Sequence, residues 1–124
     1  MKWWIDGAGW NGSLSCYAIV NEQKDYLMEV VAKEFTNNAM EYQGMIKALE
    51  LASEGDQIFS DSKLVVNQVN GIWKVKEKSL IPYWGKAKEL KKRKCITLTW
   101  VPREKNKAGR LIESHQLAKT YSRV

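Results

Sequence analysis

The sequence predicts an α/β domain with a mixed five-stranded sheet and helices packed on both of its faces. Three strand-sized runs joined by short turns fill residues 2–31, which indicates an antiparallel meander. The rest of the chain alternates helical periodicity with two further apolar runs, an order that adds parallel-type strands to the sheet. With 124 residues and 44% hydrophobic content, residues 1–124 are expected to form one domain.

Apolar periodicity and turn residues give the individual elements. The first three strands are predicted at residues 2–6, 14–20 and 26–31, with glycines and a polar run supplying the turns. A helix from Ala39 to about Ser53 follows good capping residues and ends at Gly55. The remaining predicted elements are a strand at 57–60, helices at 62–70 and 79–93, a strand at 95–101 and a basic helix at 106–122.

Positive charge is concentrated in the second part of the chain. Residues 1–73 contain 5 Lys/Arg against 10 Asp/Glu, whereas residues 74–124 contain 15 against 4, which gives −5 and +11 within the total of +6. Lysine and arginine neutralise phosphates and release counterions, so this asymmetry favours a polyanionic partner. A solvated helix face explains the cluster of cations at 86–94 equally well.

Simple features of the chain disfavour several protein classes. The apolar runs are strand-sized and no charged leader with a cleavage site is seen, so we expect a cytoplasmic protein without a membrane span. Cys16 and Cys95 lie singly in predicted strands, which favours buried reduced thiols. His115 has no second histidine with which to build a zinc site.

Three carboxylates occupy positions that favour metal binding. Asp6 ends the first predicted strand, Asp61 ends the fourth, and Glu41 opens the first helix. Acids at strand ends lie at the rim of a sheet, where ligands bind in open α/β sheets. Because carboxylates are ligands for divalent ions, the three acids together indicate a nuclease.

Each acid also has a structural explanation when it is considered alone. Glu41 precedes an apolar stripe by four, seven, eight and eleven residues, which places it on the core side of its helix. However, a glutamate in the first turn also interacts well with the helix dipole and can reach solvent. Asp6 also fits a turn with Gly7, and Asp61 fits the N-cap of the next helix. The conjunction of the three favours the metal site.

The segments around these acids resemble the type 1 ribonucleases H, which cut the RNA strand of RNA/DNA hybrids. The three metal motifs of that family are similar to residues 5–8 (Ile-Asp-Gly-Ala), 36–42 (Thr-Asn-Asn-Ala-Met-Glu-Tyr) and 58–62 (Ile-Phe-Ser-Asp-Ser), in the same order. Residues 67–76 and 100–106 also resemble compact archaeal and bacterial members. The resemblance covers nearly the whole chain and implies a ribonuclease H-like fold.

The chain departs from the family at the fourth active-site position. The family has an Asp after the last strand, in a pattern similar to Asn-x-x-Ala-Asp-x-Leu, where this chain has Gly109 or Arg110. Asn106 and Glu113 are the two candidate replacements, and we favour Asn106 because the last helix is expected to begin there. The structural alternatives are an N-cap role for Asn106 and a surface acid beside Arg110 for Glu113.

The resemblance implies a two-metal-ion hydrolysis that leaves 5′-phosphate and 3′-hydroxyl ends. Asp6 would bridge two Mg²⁺ ions, Glu41 and Asp61 would each hold one, and Asn106 would complete the second site. A neutral amide at the fourth position predicts weaker occupancy of that site and a benefit from Mn²⁺.

The resemblance also implies which residues bind an RNA/DNA hybrid. The expected minor-groove contacts are Gly7, Asn11, Thr36, Asn37 and Asn38. The DNA strand is expected to meet Trp73, Lys74 and Lys76, although Trp73 also fits a core position, and Lys63 is expected to contact a phosphate. No protein partner is implied, and we expect a monomer.

Two other functions remain open at this point. The same fold and basic surface would hold hybrids without cutting them if the changed fourth position abolishes catalysis. A related nuclease of the same superfamily would act on another nucleic acid, since a fold does not fix a substrate. The three intact acids favour the hydrolase, and the segment at 36–38 favours hybrids.

Overall fold

Five strands form one mixed sheet in the computed structural model, which describes residues 1–112. The strands are β1 (Lys2–Ala8), β2 (Ser15–Asn21), β3 (Tyr26–Val31), β4 (Gln57–Ser60) and β5 (Thr97–Trp100). Their order across the sheet is β3-β2-β1-β4-β5; β2 is antiparallel to β1 and β3, and β4 is parallel to β1 and β5. The predicted fold class is confirmed.

Helical segments connect and cover the strands. The α-helices are α1 (Asn37–Leu51), α2 (Lys63–Val69) and α3 (Ile81–Arg93), and short 3-10 helices span Lys78–Leu80 and Arg103–Lys105. Residues 109–112 are also helical, so the last helix begins later than the predicted residue 106. Within residues 1–112, no helix is long and apolar enough to cross a membrane.

The main core lies between one face of the sheet and the three α-helices. Ile5 and Ile58 contribute fully buried side chains from neighbouring strands, and Met45 meets this cluster from α1. Trp4 lies on the opposite face, where a smaller apolar cluster joins it to Ile112 in the last described turn. Because successive strand residues face opposite sides, this alternation fixes the register of β1.

The two cysteines differ in their surroundings. Cys16 is buried in β2, as predicted, but the prediction that Cys95 is a buried strand residue is wrong, because its side chain is exposed. Cys95 has a φ of +53° in the turn that ends α3, and β5 begins two residues later. The left-handed conformation reverses the chain at the helix end, a position that local strand propensity does not reveal.

Candidate active site

The carboxylates of Asp6 and Asp61 are neighbours because β1 and β4 are adjacent parallel strands. Ile5 pairs with Ser60 in the register of these strands, so the next residue of each chain segment reaches the same edge of the sheet. Glu41 joins them from the first turns of α1. One ligand oxygen from each of the three residues lies within 4.8 Å of the others. The three acids predicted from the sequence therefore converge.

Glu41 is buried against β1, with 7% of its surface exposed. Its Oε1 accepts a hydrogen bond of 3.0 Å from the backbone N–H of Gly7. A Cβ at Gly7 would lie 2.5 Å from the backbone nitrogen of Glu41, so only glycine lets the strand approach the helix this closely. Two structural alternatives from the sequence are therefore wrong. Glu41 does not reach solvent at the helix end, and Gly7 lies inside β1 and does not form a turn with Asp6.

The backbone on either side of Asp61 is held by neighbouring side chains. Ser62, and not Asp61, is the N-cap of α2, since its Oγ accepts a hydrogen bond from the N–H of Val65 at 3.2 Å. The indole Nε1 of Trp100 donates a 3.1 Å hydrogen bond to the backbone oxygen of Asp61. Lys63 places its Nζ 4.8 Å from the centre of the Trp100 ring. The backbone of Asp61 is thus fixed directly after the end of β4.

Burial and nearby negative charge disfavour ionisation of Glu41 and Asp6 in the absence of a cation. Burial raises the pKa of Glu41 well above its usual range, and the charge of Asp6 raises it further. Burial also raises the pKa of Asp6, as does the charge of Asp61, whereas a hydrogen bond from Glu41 and the positive charge of Arg103 oppose the rise. Without a cation, both carboxyl groups therefore hold a proton to a higher pH than an ordinary acid does.

A divalent metal ion fits this donor set. The second carboxylate oxygen of Glu41, Oε2, is buried and has no hydrogen-bond partner among the described residues. An unpaired buried carboxylate oxygen is costly, and a cation among three carboxylates would pair it and favour the ionised form of the acids. Asp6, Glu41 and Asp61 offer the hard oxygen ligands that Mg²⁺ and Mn²⁺ take in proteins.

The acids open into a cavity of about 450 Å³. Its lining includes three of the predicted substrate-binding residues and several that the sequence analysis did not single out; the full lining is Asp6, Gly7, Ala8, Asn37, Asn38, Glu41, Asp61, Ser62, Arg103 and Ile112. Arg103 is the most important lining residue that was not predicted from the sequence. Its place in the segment 100–106, directly after the last strand, was the signal that could have revealed it.

The side chains of two predicted minor-groove residues, Asn11 and Thr36, accept hydrogen bonds from backbone N–H groups. Asn11 is exposed in the loop after β1, and its Oδ1 accepts hydrogen bonds from the N–H groups of Ser13 and Leu14. Thr36 is the N-cap of α1, with its Oγ1 accepting from the N–H of Ala39 at 3.1 Å. Neither residue lines the cavity that contains the acids.

The residues predicted to meet the DNA strand lie at a separate depression. Trp73, Lys74 and Lys76 line a cavity of about 560 Å³ together with apolar residues of α2 and of the segment that follows it. Trp73 is 47% exposed, so the alternative that it belongs to the core is wrong. An exposed tryptophan beside two lysines retains the features of a nucleic-acid contact.

The side chain of Asn106, the fourth ligand predicted from the sequence, makes two hydrogen bonds to the backbone. It is buried, its Nδ2 donates a 2.8 Å hydrogen bond to the backbone oxygen of Ile5, and its Oδ1 accepts from the N–H of Ala108 at 3.1 Å. Gly109 instead faces the acids, because a Cβ there would lie 3.5 Å from Oδ2 of Asp6. Glu113, the other candidate ligand, lies outside the described residues.

Sequence comparisons identify related proteins. The pattern of the reverse transcriptase-like family matches residues 11–115. The bifunctional protein Rv2228c of Mycobacterium tuberculosis and the uncharacterized protein Mb2253c of Mycobacterium bovis are each 40% identical over 76 residues, covering 57% of this chain and 21% of the relative. The chain therefore matches about a fifth of the length of these curated relatives.

Structural comparisons agree with the sequence matches. The N-terminal RNase H domain of Rv2228c superposes with a TM-score of 0.80 and 29% identity over 99% of this chain and 97% of that one. LC11-RNase H1, isolated from compost and solved in complex with an RNA/DNA hybrid, gives a TM-score of 0.72 and 28% identity over 86% and 88%. RNase H1 of Halobacterium salinarum, at 24% identity and a TM-score of 0.73 over 86% and 89%, shares the fold. The chain therefore belongs to the reverse transcriptase-like family, and within it to the type 1 ribonucleases H.

Proposed function

We propose that this chain hydrolyses the RNA strand of RNA/DNA hybrids with the aid of divalent metal ions and leaves 5′-phosphate and 3′-hydroxyl ends. The observation that carries the proposal is the convergence of Asp6, Glu41 and Asp61 within 4.8 Å, with a buried carboxylate oxygen of Glu41 that lacks a hydrogen-bond partner within residues 1–112. The structure of LC11-RNase H1 with an RNA/DNA hybrid supports the choice of substrate.

The three carboxylates would hold Mg²⁺ or Mn²⁺ in this mechanism. When two such ions are bound, the chemistry they would supply is a lower pKa for an attacking water and stabilisation of a departing 3′ oxygen. The protein's own contribution is to hold the carboxylates in place, through the Gly7 amide on Glu41 and the Trp100 indole on the backbone of Asp61. Preorganised ligands of this kind need little rearrangement during the reaction.

Other groups around the cavity suit a phosphate backbone and a minor groove. Arg103 brings a positive charge to the acids, where a scissile phosphate would lie. Asn37 and Asn38 lie in the first turn of α1, so the N-terminus of the helix and its backbone N–H groups are close to the cavity. Contacts to phosphate and sugar would position the duplex without reading its sequence.

The fourth position is the part of the site in which this chain differs from the family pattern. Because Asn106 is engaged in structural hydrogen bonds and Gly109 faces Asp6, we propose a metal site built on three carboxylates from the described residues. A site with three carboxylates carries one negative charge fewer than a site with four, so we expect it to bind metal ions more weakly. A chain that binds hybrids and cuts them slowly or not at all is the alternative that this difference favours.

A comparison of three duplexes of the same sequence tests the proposed substrate. We expect cleavage of the RNA strand in the RNA/DNA hybrid, and no cleavage of duplex RNA or duplex DNA, in buffer with Mg²⁺ or Mn²⁺. The Asp6→Asn variant, prepared in parallel, should be inactive, which separates the activity of this chain from that of a contaminant. Equal cleavage of duplex RNA or DNA would overturn the proposed specificity.

A further inference from the structure

Trp10 is an exposed tryptophan on a loop whose backbone is firmly held. The side chain is 38% exposed and belongs to neither of the two apolar clusters formed by the described residues. Its backbone N–H donates a 2.8 Å hydrogen bond to the oxygen of Phe35. A tryptophan with an exposed ring and a fixed backbone can bind a ligand at little cost in conformational entropy.

The loop can lie against the start of α1 because of Gly9. The N–H of Gly9 donates to Oδ1 of Asn37 at 2.7 Å, and a Cβ at Gly9 would lie 2.6 Å from the nitrogen of Asn37 and 2.8 Å from the oxygen of Phe35. Only glycine permits this approach. The position of Trp10 relative to α1 is therefore determined by two hydrogen bonds and one close backbone contact.

Trp10 lines a second cavity, of about 500 Å³, that adjoins the cavity with the acids. Its lining residues are Gly9, Trp10, Glu34, Phe35, Thr36 and Asn37. Asn37 lines both cavities, so the two meet at this residue. A strand bound with its phosphate at the three acids would continue past Asn37 toward the ring of Trp10.

The charges at this second cavity favour a sugar over a phosphate. Glu34 is exposed on its wall, and a carboxylate repels a phosphate but accepts a hydrogen bond from a hydroxyl. Lys33, the neighbouring cation, places its Nζ 5.1 Å from the centre of the Phe35 ring. An aromatic face beside a hydroxyl acceptor suits a ribose, whose 2′-hydroxyl is a donor that deoxyribose lacks.

We propose that Trp10 and Glu34 form a ribose subsite for one nucleotide of the RNA strand, separated from the scissile phosphate by Asn37. The indole packs on the sugar, and the Glu34 carboxylate accepts a hydrogen bond from its 2′-hydroxyl. The inference rests on the proposed function and deepens it, because the subsite adds a second place at which RNA is distinguished from DNA.

A scan of single 2′-deoxy substitutions along the RNA strand tests this subsite. Binding of each hybrid is measured with the full chain carrying Asp61→Asn, so that the substrate is not consumed. We expect a 2′-deoxy substitution to weaken binding at two nucleotides of the RNA strand. One of these sensitive positions lies near the three acids, and the second lies further along the strand. Adding Trp10→Ala should weaken binding of the all-ribose hybrid about five- to tenfold, in the range of one lost aromatic contact to a nucleotide. Both Trp10→Ala and Glu34→Ala should abolish the second sensitive position.

Two further variants serve as matched controls. Trp10→Phe retains an aromatic face and should keep most of the affinity and the second sensitive position. Tyr26→Ala removes an aromatic side chain that is 70% exposed at the start of β3, and it should leave the whole profile unchanged. Circular dichroism of each variant establishes that the fold is retained.

The outcomes separate this inference from the proposed function. If the parent chain binds and cuts the hybrid but Trp10→Ala keeps the parent's affinity and profile, the ribose subsite is refuted and the proposed function stands. If the parent chain neither binds nor cuts the hybrid, the proposed function fails and the subsite fails with it. Loss of the second sensitive position in Trp10→Ala and Glu34→Ala, with Tyr26→Ala unchanged, supports the subsite.

Discussion

Gly109 faces Asp6 across the candidate metal site: a Cβ added to Gly109 would lie 3.5 Å from Oδ2 of Asp6. This distance is an ordinary van der Waals contact, so a small side chain fits without displacing the acid. The fourth position of the site is thus sterically open in this chain.

Gly109→Asp should increase the affinity for divalent ions. A fourth carboxylate adds an oxygen ligand and a negative charge, so we expect Mn²⁺ to bind about tenfold more tightly, as measured by calorimetry without nucleic acid. Gly109→Asn has nearly the same size without the charge and should give a smaller change. If Gly109→Asp and Gly109→Asn bind Mn²⁺ with the affinity of the parent chain, position 109 does not face a metal site.

Asn106→Asp should destabilise the protein and leave its metal affinity unchanged. The substitution removes the Nδ2 donor from the buried oxygen of Ile5 and places a carboxylate 2.8 Å from that oxygen. We expect the free energy of unfolding to fall by about 2–3 kcal/mol in chemical denaturation. The exposed Glu104→Gln is the control and should change it little. Tighter metal binding by Asn106→Asp at unchanged stability would restore Asn106 as a ligand.

The stability of the metal-free protein should fall as the pH rises. Folding raises the pKa of Glu41 through burial and the nearby charge of Asp6, so the folded state binds this proton more tightly than the unfolded chain. The free energy of unfolding therefore decreases from the unfolded pKa of about 4.3 upward, until the pH passes the raised pKa of the folded state.

Glu41→Gln should reduce this pH dependence. The amide oxygen can still accept from the N–H of Gly7, and the amide NH₂ can donate to Asp6. We expect the metal-free variant to melt about 3–6 °C higher than the parent at pH 7, and to gain less from added Mg²⁺. Glu50→Gln, on the exposed side of α1, is the matched control. Parallel melting curves for parent and Glu41→Gln across this pH range would contradict the pKa direction.

Arg103→Gln should move the acid limb of the pH–rate profile to higher pH. The charge of Arg103 lowers the pKa of Asp6, so its loss leaves Asp6 protonated to a higher pH. We also expect hybrid cleavage at neutral pH to slow by about tenfold or more, because a charge beside the reacting phosphate is lost. Arg103→Lys should restore part of both effects, whereas Arg110→Gln, at a different cavity, should leave both unchanged. An unshifted acid limb in Arg103→Gln would exclude this role.

The features that could be predicted from the sequence are those with a local or periodic cause. Alternating apolar residues predicted the strands. The helical spacing of the apolar residues after Glu41 predicted that Glu41 lies on the core side of α1, and the burial of Glu41 confirms this. The meeting of Asp6 with Asp61 followed from acids at the ends of strands in one sheet. Each of these inferences needed only the period of the element and the parallel pairing of β1 with β4.

The features that could not be predicted depend on distant partners. The side chain of Asn106 is fixed by the backbone oxygen of Ile5, 101 residues earlier, so no local pattern distinguishes this role from that of a ligand. Cys95 lies in a left-handed turn that the end of α3 requires, although its neighbours suggest a strand. Trp10 lies beside Phe35 because Gly9 has no Cβ and allows the loop after β1 to approach the start of α1 closely.

Cleavage of a labelled RNA/DNA hybrid by the parent chain and by Asp61→Asn is the first test of hydrolysis by this site. With the Glu54→Gln surface variant as control, hydrolysis at the three carboxylates predicts RNA fragments ending in 3′-hydroxyl in Mg²⁺ or Mn²⁺ for the parent and the control, and none for Asp61→Asn. Tight binding of the hybrid with no cleavage in either metal, or cleavage that survives in Asp61→Asn, would contradict it.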